Sequence, residues 1–376
     1  MKNNRVLITG GAGFIGSNLS LKLIKKGCEI TVLDNLSEQI HGDDSDLLTS
    51  IEGKVNFIKG DVRNIEDWEK ALVNQDVVVH LAAETGTGQS MYEVQKYVDV
   101  NINGTGIFLD YLVNREHSVK KVIIASSRAI YGEGKYQCET HGFQYPDERL
   151  EENLAKGEFE PKCSICNQNL TLLATDETST IHPSSVYGIT KQNQEQMVLN
   201  VCKSIGVDAV AYRYQNVYGP GQSLKNPYTG ILSIFSTQIK NGNDINICED
   251  GLESRDFVFI DDVVDATIAG IENDEVTSEV FNVGSGVCTS VIEVAEALKR
   301  LYNSDVNINI SGNFRLGDIR HNYADLTKIK DKLKFTPNFT FQQGVEKFAE
   351  WVNTQEVQKD QYEKSIEEMK SKGLFK

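Results

Sequence analysis

The chain has 376 residues, of which 40% are hydrophobic and 24% are charged. This composition is typical of a globular protein with one large or two moderate cores, and it excludes a disordered chain, a collagen and a coiled coil. The 38 basic side chains against 54 acidic ones give a formal net charge of -16, so the protein would repel a phosphate backbone and we expect no nucleic-acid partner.

The N-terminal residues lead directly into a predicted strand, without an apolar signal region. The longest apolar runs, such as residues 122–125, are far shorter than the roughly 18 residues that a membrane span needs. The seven cysteines are an odd number, which suits reduced thiols better than a disulfide framework. We therefore expect a cytoplasmic protein that binds no membrane.

A glycine-rich turn follows the first predicted strand, residues 6–8, and precedes a predicted helix over residues 17–26. Read from Gly11 the turn fits G-x-G-x-x-G, and read from Gly10 it fits G-x-x-G-x-x-G. Such glycines permit a tight turn and let backbone N–H groups and the start of the helix approach a pyrophosphate. The turn therefore predicts a dinucleotide site.

The second predicted strand, residues 29–33, ends at Asp34. A carboxylate at this position can accept hydrogen bonds from both hydroxyl groups of an adenosine ribose, and it would repel a 2′-phosphate. The sequence therefore favours NAD over NADP. Asp61 and Val62, which follow the next predicted strand, are expected to lie near the adenine.

Short apolar runs rich in β-branched residues alternate with helical patterns through the first 130 residues, and another such run occupies residues 207–213. This alternation predicts a Rossmann-like, doubly wound α/β fold, in which helices cover both faces of a parallel sheet. We assign residues 1–215 to this domain, residues 216–355 mainly to a smaller α+β substrate-binding domain with some segments returning to the sheet, and residues 356–376 to a charged helical tail.

The alternation breaks between residues 133 and 181, where ten acidic and four basic side chains predict an inserted surface subdomain. Cys138 and His141, followed by Cys163 and Cys166, have the ligand types and the pair spacing of a structural zinc site. A metal ion would order a segment that has little core of its own. Unmetallated thiols are the alternative.

Tyr187 and Lys191 lie four residues apart at the start of a predicted helix, so their side chains share one helix face. The same spacing at Tyr92 and Lys96 is interpreted as a solvated helix face. The first pair is preferred because it follows the fifth strand and should reach the carboxyl edge of the sheet, as should Ser127 at the end of that strand. We predict Tyr187 as acid or base, Lys191 as the group that lowers the pKa of Tyr187 and binds the nicotinamide ribose, and Ser127 as the group that polarises the reacting oxygen.

Taken together, these motifs resemble the extended short-chain dehydrogenase/reductase family, in particular its NAD-dependent nucleotide-sugar epimerases and dehydratases. The resemblance covers residues 4–355 apart from the insertion. The residues that carry it are Gly10 to Gly16, Asp34 to Ser37, Gly60 to Val62, His80 to Ala83, Asn101, Ala125 to Ser127, Tyr187 with Lys191, Arg213 to Pro220 and Arg255 to Val258.

The resemblance implies NAD as cofactor, a nucleotide sugar as substrate, a homodimer, and a role for each aligned residue. The implied NAD-binding residues are Gly10, Gly13, Phe14, Ile15, Gly16, Asp34, Asn35, Asp61, Val62, Leu81, Ala82, Ala83, Asn101, Tyr187 and Lys191. The implied catalytic residues are Ser127, Tyr187 and Lys191. Asn216, Arg255 and Arg315 would hold the diphosphate of the substrate, and Glu84, Thr85, Gln89 and Ser90 would face its sugar.

Three reactions share these motifs. Sugar dehydratases resemble this chain but place Asp-Glu after the catalytic hydroxyl residue, where this chain has Arg128 and Ala129. Neither side chain can serve as an acid/base group, so elimination is disfavoured. A 4-ketosugar reductase would use NADPH, whose phosphate Asp34 disfavours. The third reaction, 4-epimerisation, needs only bound NAD⁺ and causes no net oxidation or reduction.

Three local runs, residues 34–42, 85–93 and 125–134, look most similar to the dTDP-L-rhamnose 4-epimerase branch of this family. We therefore predict an NAD-dependent nucleotide-sugar 4-epimerase that forms a transient 4-keto sugar, with a dTDP-6-deoxyhexose such as dTDP-L-rhamnose as substrate. The alternatives are another nucleotide-sugar epimerase such as a UDP-glucose 4-epimerase, an NAD(P)H-dependent nucleotide 4-ketosugar reductase, and a non-catalytic dinucleotide-binding regulator.

Overall fold

The computed structural model describes residues 4–42, 46–228 and 230–376. Its strands, numbered in chain order, are β1 (Arg5–Thr9), β2 (Glu29–Asp34), β3 (Asn56–Lys59), β4 (Val77–His80), β5 (Lys121–Ser127), β6 (Tyr136–Cys138), β7 (Gly142–Gln144), β8 (Thr171–Leu172), β9 (Asp208–Tyr214), β10 (Asn216–Tyr218), β11 (Ile245–Ile247), β12 (Ser254–Phe259), β13 (Glu279–Val283), β14 (Cys288–Ser290), β15 (Ile308–Ile310) and β16 (His321–Asn322).

The α-helices of the described residues, numbered in the same way, are α1 (Phe14–Lys25), α2 (Glu38–His41), α3 (Asp46–Ile51), α4 (Ile65–Ala71), α5 (Thr87–Ser90), α6 (Val94–Tyr97), α7 (Gly104–Asn114), α8 (Glu151–Leu154), α9 (Val186–Ser204), α10 (Ile231–Lys240), α11 (Ile260–Glu272), α12 (Val291–Leu301), α13 (Thr327–Leu333), α14 (Phe341–Asn353) and α15 (Tyr362–Ser371). A π-helical turn (Val98–Asn103) joins α6 to α7, and a 3₁₀ turn (Arg128–Tyr131) follows β5. None of the described helices combines the length and the apolar character that crossing a bilayer requires.

Seven parallel strands form the main sheet in the order β13-β9-β5-β4-β1-β2-β3, which confirms the predicted Rossmann-like fold. Successive residues of a strand point to opposite faces, and both faces are covered here. Ile8 and Val32 belong to one core cluster, whereas Leu7 and Leu33 belong to the other. The strand order reverses between β1 and β4, so the loops that follow these two strands diverge and open a crevice at the carboxyl edge.

A smaller α+β region lies beyond β9. It contains a sheet of β10, β12, β14 and β16, a two-stranded sheet of β11 and β15, and the helices α10, α12 and α14. An aromatic cluster around Tyr218, with Phe257, Phe259, Phe341 and Phe348, fills its interior. One continuous core cluster joins this region to a face of the main sheet, and β13 returns from the later part of the chain to the sheet edge.

The stretch predicted as an insertion contains the antiparallel sheet β7-β6-β8 and helix α8. Its few apolar contacts include Leu154 and Phe159, which pack against Phe314 of the second region. At the C-terminus, α15 packs through Ile366 and Met369, and the strand-like end of the chain pairs with residues 314–316. Both segments therefore lie against the loop that precedes β16.

Candidate active site

A cavity of about 530 Å³ opens at the carboxyl edge of the main sheet, where the strand order reverses. The loops after β1, β2, β4 and β5 line one side of it, and the start of α9 lies among them. Residues of the second region, including Arg255 and Arg315, line the other side. This is the position at which open α/β sheets bind ligands.

The glycine turn shapes one end of the cavity. Gly10 has a φ of +65°, and a Cβ atom at Gly16 would lie 2.5 Å from the carbonyl oxygen of Gly10, so neither position tolerates a larger residue. Helix α1 therefore begins close against the turn. Gly13 is its N-cap, and the first turn of the helix has neither a capping side chain nor an acidic residue. The start of α1 is accordingly suited to a pyrophosphate.

Asp34 is buried at the end of β2 and lines the cavity. Its Oδ2 accepts a hydrogen bond from the backbone N–H of Ala12 at 3.0 Å, and its Oδ1 accepts one from that of Leu36 at 2.9 Å. These two bonds fix the carboxylate beside the glycine turn. Nε2 of His41 lies 3.5 Å from Oδ1, and Oδ2 retains a further lone pair that suits a hydroxyl group of a ribose.

Most residues of the predicted NAD-binding set line this one cavity. They are Gly10, Gly13, Phe14, Ile15, Gly16, Asp34, Asn35, Val62, Leu81, Ala82, Ala83, Tyr187 and Lys191.

Two residues of that set, Asp61 and Asn101, lie outside the lining. The carboxylate of Asp61 accepts hydrogen bonds from Arg63 and from Asn35, and the bond with Arg63 is the main cause that lowers the pKa of Asp61 to about 2. Asn101 is fully buried, and its amide bonds the backbone N–H and C=O of Glu84 at 2.8 and 3.1 Å and the hydroxyl of Thr190 at 2.9 Å. Asn101 therefore holds the loop after β4 against α9 and does not face the cavity, in contrast to the prediction.

Ser127, Tyr187 and Lys191 all line the cavity. The hydroxyl of Ser185 caps α9 by accepting the N–H of Gly188 at 3.1 Å. A Cβ atom at Gly188 would lie 2.6 Å from the carbonyl oxygen of Ala129, so this glycine lets the first turn of α9 pack directly on the turn after β5. That packing brings Tyr187 to Ser127, as the motif predicted.

The pKa values of the three groups follow from their surroundings. Burial raises the pKa of Tyr187, and the nearby hydroxyl of Ser127 and the nearby charge of Arg128 oppose that rise. Burial lowers the pKa of Lys191 to about 7, with Glu195 opposing. Arg128 thus contributes positive charge beside the phenol, and the predicted effect of Lys191 on the pKa of Tyr187 stays a prediction.

Lys191 begins a chain of buried hydrogen bonds that no sequence motif predicted. Its Nζ donates to Gln194 at 2.7 Å, and the amide of Gln194 donates to the hydroxyl of Thr105 at 2.8 Å. Thr105 is 3.0 Å from Nε2 of His80, whose Nδ1 is 2.7 Å from the hydroxyl of Thr9. Burial, and then the charge of Lys191, lower the pKa of His80 to about 3, so this imidazole is neutral. The chain ties the ammonium group to the carboxyl ends of β1 and β4.

The predicted diphosphate-binding residues Asn216, Arg255 and Arg315 line the second-region side of the cavity. Arg255 donates to Asp318 at 3.0 Å, and Arg315 lies 3.3 Å from the other oxygen of the same carboxylate. Burial alone would raise the pKa of Asp318, but the charges of Arg315 and Arg255 hold it well below its usual range. The two arginines therefore share one ionised carboxylate.

Four residues were predicted to face the sugar, and the structure places only Glu84 and Thr85 in the lining. Gln89 and Ser90 are buried in α5. The amide of Gln89 bonds Gln39 at 3.0 Å. The hydroxyl of Ser90 donates to the carbonyl oxygen of Thr87 at 2.6 Å and accepts the backbone N–H of Tyr187 at 3.0 Å. Ser90 thus holds the backbone of Tyr187 and does not line the cavity, because its buried side chain packs against the start of α9.

Several lining residues were not predicted to bind a ligand: Arg128, Tyr228, Glu253 and Asp318. Glu253 is buried, and burial raises its pKa to about 7. The sequence signal for Arg128 and Glu253 was their closeness to predicted site residues, since Arg128 follows Ser127 and Glu253 precedes Arg255 by two positions. Tyr228 has no predicted site residue close to it in the sequence.

Cys138, His141, Cys163 and Cys166 meet in the insertion, and one ligand atom from each lies within 4.8 Å of all the others. The Sγ atoms of Cys138 and Cys166 are 3.7 Å apart, and Nδ1 of His141 is 3.5 Å from Sγ of both Cys138 and Cys163. A tetrahedral zinc ion has edges of roughly 3.8 Å between two sulfurs and roughly 3.5 Å between sulfur and nitrogen. The four side chains therefore fit such an ion.

The chain matches the NAD dependent epimerase/dehydratase family over residues 6–152 and 168–284. The unmatched stretch between these two ranges lies in the insertion and includes Cys163 and Cys166. This match confirms the family resemblance that the motifs indicated.

Individual relatives cover nearly the whole chain. A dTDP-L-rhamnose 4-epimerase from Burkholderia thailandensis is 35% identical over 93% of this chain and 94% of its own length. A UDP-N-acetyl-alpha-D-glucosaminuronate decarboxylase from Bacillus cytotoxicus is 30% identical over 92% and 97%. The crystal structure of a UDP-glucose 4-epimerase with UDP-glucose from Thermotoga maritima has a TM-score of 0.76 at 29% identity, covering 93% of this chain and 98% of that one. With its motifs, its fold and this extent of similarity, the chain belongs to the NAD dependent epimerase/dehydratase family of enzymes.

Proposed function

We propose that this enzyme is an NAD-dependent nucleotide-sugar 4-epimerase, which inverts C4 of its substrate through a transient 4-keto sugar. One observation carries the proposal: Ser127, Tyr187 and Lys191 line a single cavity between the glycine turn with Asp34 and the arginine pair Arg255 and Arg315. A dinucleotide bound at the first end and a diphosphate bound at the second would bring a nicotinamide and a sugar together at Tyr187.

The residues of the cavity account for the proton transfers. Tyr187 takes the proton of the C4 hydroxyl group during oxidation and returns one during reduction, while Ser127 hydrogen-bonds the same oxygen. Lys191, fixed by Gln194, would bind the nicotinamide ribose. Bound NAD supplies the acceptor and donor of the C4 hydride, so the enzyme needs no external reductant.

The fixed carboxylate of Asp34 supports NAD as the cofactor in preference to NADP. Gly10, Gly13 and Gly16 would hold its pyrophosphate, and Val62 its adenine. A 4-ketosugar reductase has to exchange its reduced cofactor at each turnover and remains the alternative reaction. Arg128 and Ala129 disfavour elimination, because neither supplies an acid/base group beside Ser127.

For the substrate, we favour a dTDP-6-deoxyhexose such as dTDP-L-rhamnose. The support is the 35% identity to the Burkholderia enzyme, together with the local runs 34–42, 85–93 and 125–134. The relative named as a decarboxylase shows that the reaction varies within the family, and the Thermotoga structure with UDP-glucose supports a UDP-sugar as the second candidate.

The Cys/His cluster would hold a structural zinc ion, since four protein ligands leave no open position for a substrate. From the family resemblance we also expect a homodimer in the cytoplasm, and light scattering on the purified protein tests the oligomeric state.

The test of the function begins with denaturing the purified enzyme and identifying any released dinucleotide by mass spectrometry. Protein is then incubated, without added reductant, with dTDP-L-rhamnose, UDP-glucose and a GDP-hexose, each carrying deuterium at C4. We expect NAD⁺ in the released fraction and a C4 epimer that retains its deuterium, because the hydride returns to the carbon it left. Stoichiometric consumption of NADPH in a parallel incubation with a nucleotide 4-ketosugar, without epimerisation in the first incubation, would instead support the reductase. No turnover in either incubation would contradict both reactions.

A further inference from the structure

Arg128 lines the cavity, and its guanidinium group makes no hydrogen bond or ion pair with any other described residue. Other arginines in the interior are paired. Arg213 donates to Glu195 at 3.0 and 2.6 Å, Arg149 donates to Glu249 at 2.8 Å from two nitrogens, and Arg320 donates to Asp250 at 2.7 and 2.8 Å. Removing a cation from water at a cavity wall costs free energy unless a ligand of opposite charge binds there.

The backbone of Arg128 is held in place. It is the first residue of the 3₁₀ turn after β5, and the hydroxyl of Ser127 accepts the N–H of Ala129 at 3.1 Å to cap that turn. The first turn of α9 packs on the same segment at Gly188. Arg128 therefore extends from a fixed point, immediately beside the proposed reaction centre.

The charges around Arg128 are those of a site for an anion. Burial, and then the charge of Arg255, lower the pKa of Arg128 to about 10, and Asp318 and Tyr187 only partly offset this effect. Asp318 is already shared by Arg255 and Arg315. The three guanidinium groups outnumber the one carboxylate that Arg255 and Arg315 share, and burial raises the pKa of the neighbouring Glu253 to about 7. The group therefore has an excess of positive charge, which suits the negative charge of a sugar-linked diphosphate.

We propose that Arg128 binds the diphosphate of the nucleotide sugar as a third arginine beside Arg255 and Arg315, on the phosphate that is linked to the sugar. The sugar-linked phosphate is the closer one, because Arg128 adjoins Ser127 and lies near Tyr187, where the reacting carbon would sit. This assignment rests on the proposed function for the identity of the ligand, but its test needs no turnover.

The test compares dTDP with dTMP, and UDP with UMP, as ligands of the NAD-loaded enzyme in isothermal titration calorimetry. Loss of a charge-assisted hydrogen bond from Arg128→Met should weaken binding of the diphosphates by about 10- to 100-fold, and binding of the monophosphates by less than about 3-fold. Arg128→Lys should recover part of the loss. Arg115→Met is the matched control, since Arg115 is exposed and pairs with Glu69 away from the cavity.

Three results would overturn the assignment. Equal weakening of diphosphate and monophosphate binding would place Arg128 on the phosphate that is linked to the nucleoside, and not on the one linked to the sugar. Unchanged diphosphate affinity with weakened binding of the nucleotide sugar would place it on a sugar hydroxyl group. Unchanged affinity for every ligand, with only a shifted pH profile of turnover, would leave it solely as a charge acting on Tyr187. The unfolding temperature and the NAD content of each variant show whether it has folded. If Arg128→Met is misfolded, Arg128→Lys takes its place in the comparison.

Discussion

Arg149 of the insertion donates a hydrogen bond from Nη2 to the backbone oxygen of Asp318 at 2.9 Å. Its guanidinium also donates twice to Glu249, at 2.8 Å each, and its Nε lies 3.3 Å from Glu133. Because the carboxylate of Asp318 lies between Arg255 and Arg315, the inserted segment braces the loop that carries the proposed diphosphate site. The two parts of the chain are 169 residues apart in sequence.

Replacing Arg149 with Lys should weaken substrate binding more than it slows the chemistry. Lys keeps the charge but cannot form the several hydrogen bonds that hold Glu249 and Asp318 together. We expect the KM for the nucleotide sugar to rise by about 10-fold, with kcat changed less than about 3-fold and NAD content unchanged. Steady-state kinetics and cofactor analysis check this split, and a fall in kcat at constant KM would contradict the bracing role.

Replacing Tyr187 with Phe removes the proposed acid/base group. We expect turnover to fall by about 10² to 10⁴-fold, while the NAD content stays near that of the unaltered enzyme. Tyr92→Phe is the matched control, because Tyr92 has the same spacing to a lysine but its hydroxyl lies 3.4 Å from Glu368 of α15. Turnover in the Tyr187 variant comparable to that of the Tyr92 variant would exclude Tyr187 from the reaction.

The lowered pKa of Lys191 predicts a specific pH dependence of stability in nucleotide-free protein. Burial brings this pKa from 10.5 to about 7, so between these values the unfolded chain holds a proton that the native protein has released. The free energy of unfolding should therefore rise with pH above about 7, by up to about 1.4 kcal/mol for each pH unit, and level off near pH 10.5.

Urea unfolding at pH 6.5 to 9 measures this effect as the difference between the unaltered protein and Lys191→Met, which cancels the titration of other groups. Native His80 stays neutral over this range, so it does not change the sign. A difference that is constant with pH would mean that Lys191 titrates as an exposed lysine does.

Removal of the metal should act on the substrate site as well as on stability. Glu160, three residues before Cys163, accepts a hydrogen bond from Arg320 at 2.8 Å, and Arg320 adjoins the Asp318 loop. We expect one zinc ion per chain in protein purified without chelator. A chelator or Cys163→Ser should lower the unfolding temperature and raise the KM for the nucleotide sugar, with NAD content little changed.

Elemental analysis, thermal unfolding and steady-state kinetics check these effects. Cys202→Ala is the control for the loss of a thiol, since Cys202 is buried in an apolar core cluster away from the four ligands. Stoichiometric zinc in the Cys163 variant, or none in the unaltered protein, would contradict the proposed site.

Features that depend on neighbours in the chain were predictable from the sequence. The alternation of apolar runs and helical patterns predicted the Rossmann-like sheet, since each strand and its following helix form one local unit. The glycine turn, Asp34 and the Tyr187/Lys191 spacing predicted lining residues, because all of them stand where a strand ends or a helix begins and so reach the carboxyl edge.

The tertiary structure decided which side chains line the cavity and which instead bond the segments that form its wall. Gln89, Ser90, Asp61 and Asn101 lie in motifs that reach the site, yet their polar groups are used by other protein groups. A motif locates a segment, but the direction of each side chain depends on what packs against that segment.

The sequence by itself therefore determined the fold, the two ends of the cavity and the chemical groups that meet in it. Only the tertiary structure decided that Arg128 pairs with no other residue in the described part of the chain, that Arg149 reaches Asp318, and that four ligands separated by up to 28 residues converge on one point. The physical reason is that these are pairings between distant segments. Their energies depend on burial and on charge neighbours, which exist only once the chain has folded.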